Sequence, residues 1–259
     1  MNTKVVILAG GFGTRLGKET ETTPKPMVRI GEQPILWHIM EYYAHYGFKE
    51  FFIALGYKGE VIKDYFLNYH MLSSDLIINL TNGRVKKKKK LREDWIVHLI
   101  DTGLNTLTGG RLKRLEPFLI HETFMLTYGD GVSDVNLHEL LRFHRSHNRI
   151  ATVTAVRPPS RFGGLFFDGD LVAKFIEKPQ LGEGWINGGF MVFEPDMFKY
   201  IKGDDTRLEQ DVLGRLAVER QLTAYQHNGF WQCVDTPRDL WLLEDVWKSG
   251  NAPWKVWKD

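Results

Sequence analysis

Apolar and polar positions alternate along the first half of the chain in a way that separates short strands from amphipathic helices. The β-branched runs Val5–Ala9 and Glu50–Leu55 are strand-sized, and stretches with a helical period follow at 37–46 and 60–69. Strands that alternate with helices predict a βαβα arrangement and a mostly parallel sheet, wound by right-handed crossovers. Further strands are predicted at Leu76–Asn79, Ile96–Asp101, 123–128 and 151–155, and a further helix at Leu137–His147.

The pattern changes after Pro158 and Pro159, where short strands replace the regular alternation. We predict strands at 165–167, 171–177 and 188–193, followed by helices at 210–220 and Pro237–Lys248. The chain is therefore expected to have an α/β fold, with a β-rich second half beginning at residue 158. Because no low-complexity linker separates the halves, we predict a single domain over residues 1–259.

Composition excludes several classes of protein. With 259 residues, of which 43% are hydrophobic and 25% charged, the chain is neither fibrous nor disordered. A net charge of +2 is too close to balance for a nucleic-acid coat, so any anion must be bound locally. The single cysteine, Cys233, excludes an internal disulfide and a thiolate metal site, so any metal would be held by oxygen or nitrogen.

The apolar runs are strand-sized and the N-terminal residues lack a signal-peptide profile. We therefore expect a soluble, cytoplasmic protein that binds neither a membrane nor nucleic acid. The five lysines at 86–90 are interpreted as a solvated hairpin tip.

A glycine-rich loop at 8–16 follows the first strand and offers backbone N–H groups to a phosphate or a base edge. A dinucleotide fingerprint would need a glycine where Leu16 stands, which argues against an NAD-dependent oxidoreductase. A P-loop would need a glycine at position 12 and a hydroxyl at 19, where the chain has Phe12 and Glu19. The loop therefore matches neither of these two phosphate-binding motifs. The alternative interpretation is an exposed loop whose charges have no role in binding.

Cations and carboxylates stand where nucleotide phosphates and a divalent metal would need them. Arg15 lies inside the loop, and Lys25 lies between two prolines that fix the local backbone and discourage a helix. Asp130 follows the strand predicted at 123–128, and Asp235 follows the apolar run 230–234, at positions where open α/β sheets place ligands. Magnesium prefers one or two carboxylates completed by phosphate oxygens and water. Both aspartates are candidate ligands, although an Asp-Gly pair is also common in turns.

Two motifs make the chain resemble the sugar-1-phosphate nucleotidyltransferases. They are Leu-Ala-Gly-Gly-Phe-Gly-Thr-Arg-Leu at 8–16 and Pro-Lys-Pro at 24–26. Further segments narrow the resemblance to the cytidylyltransferase branch, among them Thr-Gly-Gly-Arg at 108–111, Tyr-Gly-Asp-Gly at 128–131 and Asn-Gly-Gly-Phe at 187–190. The resemblance implies a Rossmann-like fold of the nucleotidyltransferase and glycosyltransferase-A type, in which helices flank a mixed, mostly parallel sheet. It also implies that residues 1–157 mainly bind the nucleotide and that residues 158–259 bind the sugar.

The resemblance further implies Mg²⁺-dependent transfer of a cytidylyl group from CTP to α-D-glucose 1-phosphate, giving CDP-glucose and pyrophosphate, by in-line attack. A homo-oligomer and a role in surface-polysaccharide (O-antigen) biosynthesis are implied as well. Arg15 and Lys25 would be catalytic, and Asp130 and Asp235 would hold the metal. Residues that would bind the nucleotide are Leu8, Gly10, Gly11, Gly13, Thr14, Arg15, Gly110, Arg111 and Gly129. Residues that would bind the sugar phosphate are Lys25, Arg161, Glu177, Lys178, Asn187 and Gly188.

Two groups of side chains on predicted helices have simpler interpretations. His144 and His147 are three residues apart on a polar helix, and without a third ligand we expect them to be solvated. Trp241 and Trp247 make the last helix apolar, as a core element or a subunit interface would be. Because the family that the chain resembles is oligomeric, we expect a subunit interface on this helix.

The chain departs from the family pattern between residues 208 and 212. Leu208, Asp211 and Val212 replace a tryptophan, a glutamate and a proline, whereas Glu209 is kept. The departure lies in the half that would bind the sugar, so it leaves the acceptor open. The alternatives are the same transfer to another sugar phosphate or phosphorylated molecule, transfer from UTP or dTTP, and a non-catalytic binding homologue.

Overall fold

A computed structural model of the chain describes residues 3–17, 19–87, 93–158, 164–168, 170–176 and 184–258. Within these residues, an eight-stranded mixed sheet has a hydrophobic core on each face. This is the predicted α/β class. None of the helices described is long and apolar enough to cross a membrane.

The helices of the described residues are α1 (Glu19–Thr22), α2 (Ile35–His45), α3 (Gly59–Leu72), α4 (Thr108–Leu119), α5 (Leu137–His147), α6 (Gly214–Val218) and α7 (Pro237–Lys248). Short 3₁₀ helices lie at Thr14–Leu16, Lys25–Met27 and Pro195–Tyr200, and a π-helix lies at Leu208–Leu213. The strands are β1 (Val5–Ala9), β2 (Arg29–Ile30), β3 (Gln33–Pro34), β4 (Glu50–Leu55), β5 (Leu76–Asn79), β6 (Arg84–Lys87), β7 (Ile96–Asp101), β8 (Phe124–Tyr128), β9 (Gly131–Ser133), β10 (Ala151–Val156), β11 (Gly164–Asp168), β12 (Leu171–Ile176), β13 (Ile186–Asn187), β14 (Met191–Phe193), β15 (Leu222–His227) and β16 (Trp231–Cys233).

Strand β1 lies inside the main sheet, where it pairs in parallel with both β4 and β8. Strand β7 pairs in parallel with β4, while β14 is antiparallel to both β8 and β10. Strand β10 also pairs with β13 and, in parallel, with β15. The register places Leu8 beside Tyr128 and Ala9 beside Leu55. The loops after β1, β4 and β8 therefore leave the sheet at one edge, where α/β proteins bind ligands.

Both faces of the sheet are buried, as in other sheets with parallel crossovers. Alternate residues of β1 belong to different cores: Val5 and Ile7 to the core that contains Trp254, and Val6 and Leu8 to the core that contains helix α4. Because a slip of one residue would exchange the two faces, burial on both sides fixes the register of β1. The glycine-rich loop that follows β1 is thereby held at a defined point of the edge.

Helix α4 has no counterpart among the elements predicted from the sequence. It begins Thr-Gly-Gly and contains Pro117, and these residues ordinarily disfavour a helix. Leu112, Leu115 and Leu119 are nevertheless fully buried. Tertiary packing therefore stabilises a helix that its own sequence does not favour. The helix predicted at 210–220 is a π-helix followed by α6.

One interpretation of a polar side chain is wrong. His144 is 1% exposed, with Nδ1 2.8 Å from Thr152 Oγ1 and Nε2 3.1 Å from Glu194 Oε1, because α5 packs this face on β10. His147 is exposed, as expected. The interpretation of the lysine run as a hairpin tip stays a prediction. Lys86 and Lys87 lie in β6, after the turn at 80–83 that joins β5 to β6. Residues 88–92, which include the rest of the run, lie outside the described residues.

The two tryptophans of helix α7 have different environments. Trp247 packs edge-on against the buried His38, with ring centroids 4.7 Å apart. Trp241 is 67% exposed. One tryptophan therefore belongs to the core, and the other lies on the surface.

Candidate active site

The glycine-rich loop lines a cavity of about 520 Å³ at the carboxyl edge of the sheet. The remaining lining comes from Lys25 and Pro26, from residues 104–108 and Arg111, and from residues 128–130. Gly13 adopts a φ of 65°, in the left-handed region that favours glycine, and turns the chain into the 3₁₀ helix Thr14–Leu16. Phe12 is 46% exposed and packs against Tyr57, with ring centroids 5.2 Å apart.

Arg111 ties this loop to its neighbours. The side chain is buried, and its guanidinium packs so closely on Gly10 that any side chain at that position would overlap it. The guanidinium donates over 2.7–3.2 Å to the carbonyl oxygens of Leu55, Gly103, Leu104 and Gly10 and to the hydroxyl of Thr102. Burial lowers the pKa of Arg111 from its ordinary value. The observed contacts hold the glycine loop against the chain that follows β4 and β7, while a direct role for Arg111 in nucleotide binding stays a prediction.

Lys25 lies between two carboxylates. Its Nζ is 2.5 Å from Asp130 Oδ2 and 2.6 Å from Asp235 Oδ1. The two aspartates are distant in sequence, but the antiparallel pair β9 and β16 brings them together by placing Gly131 opposite Cys233. The sequence motifs at 24–26 and 128–131 thus converge with a third segment at one point of the fold.

The charges of this triad favour a protonated lysine. Burial by itself would lower the pKa of Lys25, but the charges and hydrogen bonds of Asp130 and Asp235 outweigh it and raise the pKa above its ordinary value. The described residues contain no group of three or more histidine, cysteine or acidic side chains that could hold a metal ion. Two carboxylates are a set that Mg²⁺ accepts when phosphate oxygens and water complete its shell. The residues present therefore fit the predicted ion.

Asp235 is oriented by the start of helix α7. Asp239 Oδ2 accepts the backbone N–H groups of Asp235 at 3.1 Å and of Thr236 at 2.8 Å. On the other side, the thiol of Cys233 lies 3.8 Å from Asp235 Oδ2. Burial, reinforced by the neighbouring carboxylates, raises the pKa of this thiol to about 12. The thiol is therefore protonated at neutral pH.

A second cavity, of about 270 Å³, adjoins the first. Tyr128 and Asp130 line both cavities, and Asn187, Gly188 and Trp231 line the second. The N–H of Gly188 donates to a carbonyl of β10 at 2.8 Å, and its carbonyl accepts Trp231 Nε1–H at 2.6 Å. Of the two residues 187 and 188, only Asn187 therefore places a polar side chain at the cavity.

The structure brings most of the predicted site residues together. Those that line one or both cavities are Leu8, Gly10, Gly11, Gly13, Thr14, Lys25, Arg111, Gly129, Asp130, Asn187, Gly188 and Asp235. Gly110 lines neither cavity; its N–H donates to the carbonyl of Thr206 at 3.3 Å. Arg161, Glu177 and Lys178 lie outside the described residues, as does the side chain of Arg15, so their roles stay predictions.

Sequence reasoning missed two parts of the lining. Residues 104–108, which include Asn105 and Thr106, follow the carboxyl end of β7. The rule that pointed to Asp130 after β8 would have pointed to this segment as well, because β7 was predicted correctly. Tyr128 lies inside a motif quoted above, but nothing in the sequence shows that it lines two cavities.

Comparison with known proteins identifies relatives of the same length. A family model described as nucleotidyl transferase matches residues 4–247. The glucose-1-phosphate cytidylyltransferase of Salmonella typhi is 48% identical over 256 residues, which cover 98% of this chain and 100% of the relative. The probable glucose-1-phosphate cytidylyltransferase of Bacillus subtilis (strain 168) is 42% identical over 255 residues, with 98% and 100% coverage.

Solved structures show the same fold at lower identity. UDP-glucose pyrophosphorylase complexed with UDP-glucose has a TM-score of 0.69 at 18% identity, covering 96% of this chain and 100% of that chain. HddC from Yersinia pseudotuberculosis complexed with GMP-PN has a TM-score of 0.68 at 23% identity, with 95% and 99% coverage. These similarities confirm the predicted mixed, mostly parallel α/β fold.

Proposed function

Because this chain belongs to the nucleotidyl transferase family, we propose that it transfers a cytidylyl group from CTP to α-D-glucose 1-phosphate, releasing CDP-glucose and pyrophosphate. Relatives that are 48% and 42% identical over their whole length carry this activity in their names. The observation that carries the proposal is the junction of the two cavities. Asp130 lines both cavities, and Lys25 and Asp235 meet it there.

The two cavities suit the two substrates. The larger one, which the glycine-rich loop lines, would take CTP, and the smaller one would take the sugar phosphate. The α-phosphate and the acceptor phosphate would then meet at Asp130. Since both phosphates are anionic, cationic groups must offset their repulsion at this point before a bond can form.

The reaction needs little activation of the acceptor. An oxygen of the sugar phosphate bonds to the α-phosphorus, and the bond from that phosphorus to the oxygen of the β-phosphate breaks, so that pyrophosphate leaves with the electron pair. A phosphate monoester with a second pKa of about 6 is already mostly dianionic at neutral pH, so a general base is unnecessary. Lys25 would place its charge between the two phosphates, and Arg15 would hold the β- and γ-phosphates. Positioning and charge neutralisation then account for catalysis.

Asp130 and Asp235 would hold the Mg²⁺ ion. Bound there, the ion would supply Lewis-acid neutralisation of phosphate charge. The chain itself supplies two carboxylates that one cation can reach together, and an ammonium that already lies between them. We expect Lys25 to be drawn from the carboxylates to the phosphates when substrates bind.

Pyrophosphate release tests the proposal. The enzyme should be assayed with CTP, UTP, dTTP and GTP against a panel of sugar phosphates and other phosphorylated acceptors, with Mg²⁺ and with a chelator. CTP with glucose 1-phosphate should give the fastest release, which chelation should abolish and Mg²⁺ restore. Asp235→Asn should lose activity, whereas Asp196→Asn, at an exposed position of the helix Pro195–Tyr200, should not. Absence of release from CTP with every acceptor would refute the proposal.

The departure from the family pattern at 208–212 leaves glucose 1-phosphate as the favoured acceptor. Leu208 and Val212 are fully buried in the core on the α4 side of the sheet. Asp211 accepts the backbone N–H of Arg207 at 2.6 Å. None of these substituted residues lines either cavity. Other sugar phosphates, UTP and dTTP therefore enter as members of the same assay panel.

We further propose that residues 1–259 act as one domain, in a cytoplasmic homo-oligomer. Strands from both halves of the chain share the main sheet, and the one thiol, that of Cys233, requires no oxidising compartment. The exposed Trp241 on α7 is the proposed contact between copies. Sedimentation of the wild type and of Trp241→Ser should show a smaller species for the variant, and an unchanged mass would refute a contact at α7.

A further inference from the structure

Tyr128 belongs to the lining of both cavities. It is the last residue of β8. Its hydroxyl donates to Glu209 Oε1 over 2.6 Å. Burial, followed by the charge of Glu209, raises the pKa of Tyr128, so the hydroxyl keeps its proton. The hydroxyl therefore directs its proton to Glu209, in the hydrogen bond described above.

Glu209 is held from a second direction. Its Oε2 accepts the hydroxyl of Thr108, at the start of α4, over 2.8 Å. The same hydroxyl accepts the backbone N–H of Leu208 at 2.9 Å. The carboxylate thus joins Tyr128 to a residue that lines the larger cavity. Glu209 belongs to the π-helix Leu208–Leu213, a rare conformation that occurs frequently at functional sites.

Asn187 extends this network into the smaller cavity. Its Oδ1 accepts the N–H of Gly189 at 3.0 Å, which leaves the amide NH₂ to face other partners. Asn187 and Tyr128 line the smaller cavity together, and Gly189, which Asn187 holds, packs against the Tyr128 ring. The Asn187 side chain acts to lower the pKa of Tyr128, as an N–H directed at the hydroxyl oxygen would. Because that hydroxyl gives its proton to Glu209, its oxygen must accept from Asn187. The direction of each hydrogen bond from Asn187 to Glu209 is therefore fixed, and the amide has one further N–H to donate.

We propose that Glu209 is a positioning residue for the acceptor, and that it orients the Asn187 amide through Tyr128 as a donor to one hydroxyl of the sugar. The inference rests on the proposed function, because it takes the smaller cavity as the sugar site. Glu209 itself lines neither cavity and acts through the two side chains that do. The hydroxyl of Tyr128 has two possible orientations, and only the one directed at Glu209 leaves its oxygen free to accept from Asn187.

The test is discrimination between glucose 1-phosphate and its four monodeoxy analogues at positions 2, 3, 4 and 6. The wild type should prefer glucose 1-phosphate to at least one analogue by ten-fold or more in kcat/KM. In Glu209→Ala and Tyr128→Phe this ratio should fall to about three or less, because roughly one hydrogen bond is lost. The KM for the sugar phosphate should rise about ten-fold, while the KM for CTP should change by about two-fold or less. Glu209→Gln, which retains one acceptor oxygen, should be intermediate.

A second tyrosine–glutamate pair supplies the matched control. Tyr200 donates to Glu219 over 2.6 Å, the same length, and neither residue lines the two cavities. Glu219→Ala and Tyr200→Phe should keep the wild-type discrimination. Should Glu209→Ala fail to fold, Tyr128→Phe decides the question, since it removes only a hydroxyl.

Three results would overturn the inference. The first is a Tyr128→Phe variant that discriminates between the acceptors as well as the wild type does. The second is a KM that rises equally for the sugar phosphate and for CTP. A wild type that accepts every deoxy analogue equally well is the third. Absence of pyrophosphate release by the wild type would instead refute the proposed function, on which the inference depends.

Discussion

Replacing Arg111 with methionine should lower the free energy of unfolding and weaken nucleotide binding at the same time. Methionine keeps much of the length of the side chain but removes every donor. Arg111 is 5% exposed, and four backbone carbonyls and one hydroxyl would lose its N–H donors. The carbonyl of Leu55 would keep the N–H and hydroxyl of Thr102, and that of Gly10 would keep the N–H of Tyr57. One of these carbonyls belongs to Gly10, so the glycine loop would lose a tether.

The magnitude follows from these contacts. Each hydrogen bond from a charged donor contributes about 1.5–3 kcal/mol, but burying the guanidinium offsets part of the total. None of the ion pairs between described residues includes Arg111, although the charges of Asp101 and Asp204 act to raise its pKa and so favour the charged form. We therefore expect a loss of about 3–5 kcal/mol in the free energy of unfolding, near the cost of removing one partner of a buried charged pair. For a chain of this size, such a loss lowers Tm by about 10 °C.

Urea denaturation and titration calorimetry with CTP measure the two effects. Arg114→Met is the matched control, because Arg114 lies on the same helix but forms an exposed ion pair with Asp204. The control should unfold close to the wild-type midpoint and bind CTP normally. If Arg111→Met and Arg114→Met unfold at the same urea concentration, the guanidinium does not tether the loop.

Three further predictions concern charge, pH and packing. Lys25→Met should lower kcat about 10²–10³-fold in the pyrophosphate assay, as the loss of one transition-state donor does, and near-normal turnover would refute its catalytic role. Burial lowers the pKa of His38 to about 4, so the unfolded state takes up a proton before the folded state as pH falls below 6.5, and about 2.5 kcal/mol of stability should be lost between pH 7.5 and 4.5. His38→Gln should lack that component in urea titrations at the two pH values. Gly110→Ala should cost about 1–3 kcal/mol in urea denaturation, because the new methyl group would meet the backbone of Asp204, whereas Gly203→Ala, where no atom lies within 4 Å, should not.

The parts of the site that follow parallel strands could be predicted from the sequence. Val5–Ala9 and 123–128 are strand-like by composition alone, and the loop residues after them are placed by the geometry of an α/β sheet. Asp130 was found in this way, whereas Lys25 was found through the two prolines that flank it. The convergence of Asp235 with them depends on the pairing of β9 with β16, which joins residues about 100 positions apart. Local patterns do not encode such a pairing, and the motif resemblance supplied it.

Interactions that depend on tertiary packing could not be predicted. Helix α4 is absent from the predicted elements because its glycines and Pro117 disfavour a helix locally, while its buried leucines favour one only in the folded protein. The contacts of Arg111 could not be predicted for the same reason, since its acceptors lie on three separate segments of the chain. His144 was misassigned because the helix face that carries it packs inward.

Helix α4 links the two proposed substrate sites. This link indicates how the departure from the family pattern at 208–212 can affect substrate binding. Its start holds the glycine loop through Arg111 and holds Glu209 through Thr108. The substituted residues Leu208 and Val212 belong to the same buried core as the leucines of α4. A change of volume at these positions can therefore shift the start of α4 without touching a substrate. Because one helix positions both sites, such a change should alter the KM of both substrates together, whereas loss of the Glu209 carboxylate should act mainly on the acceptor.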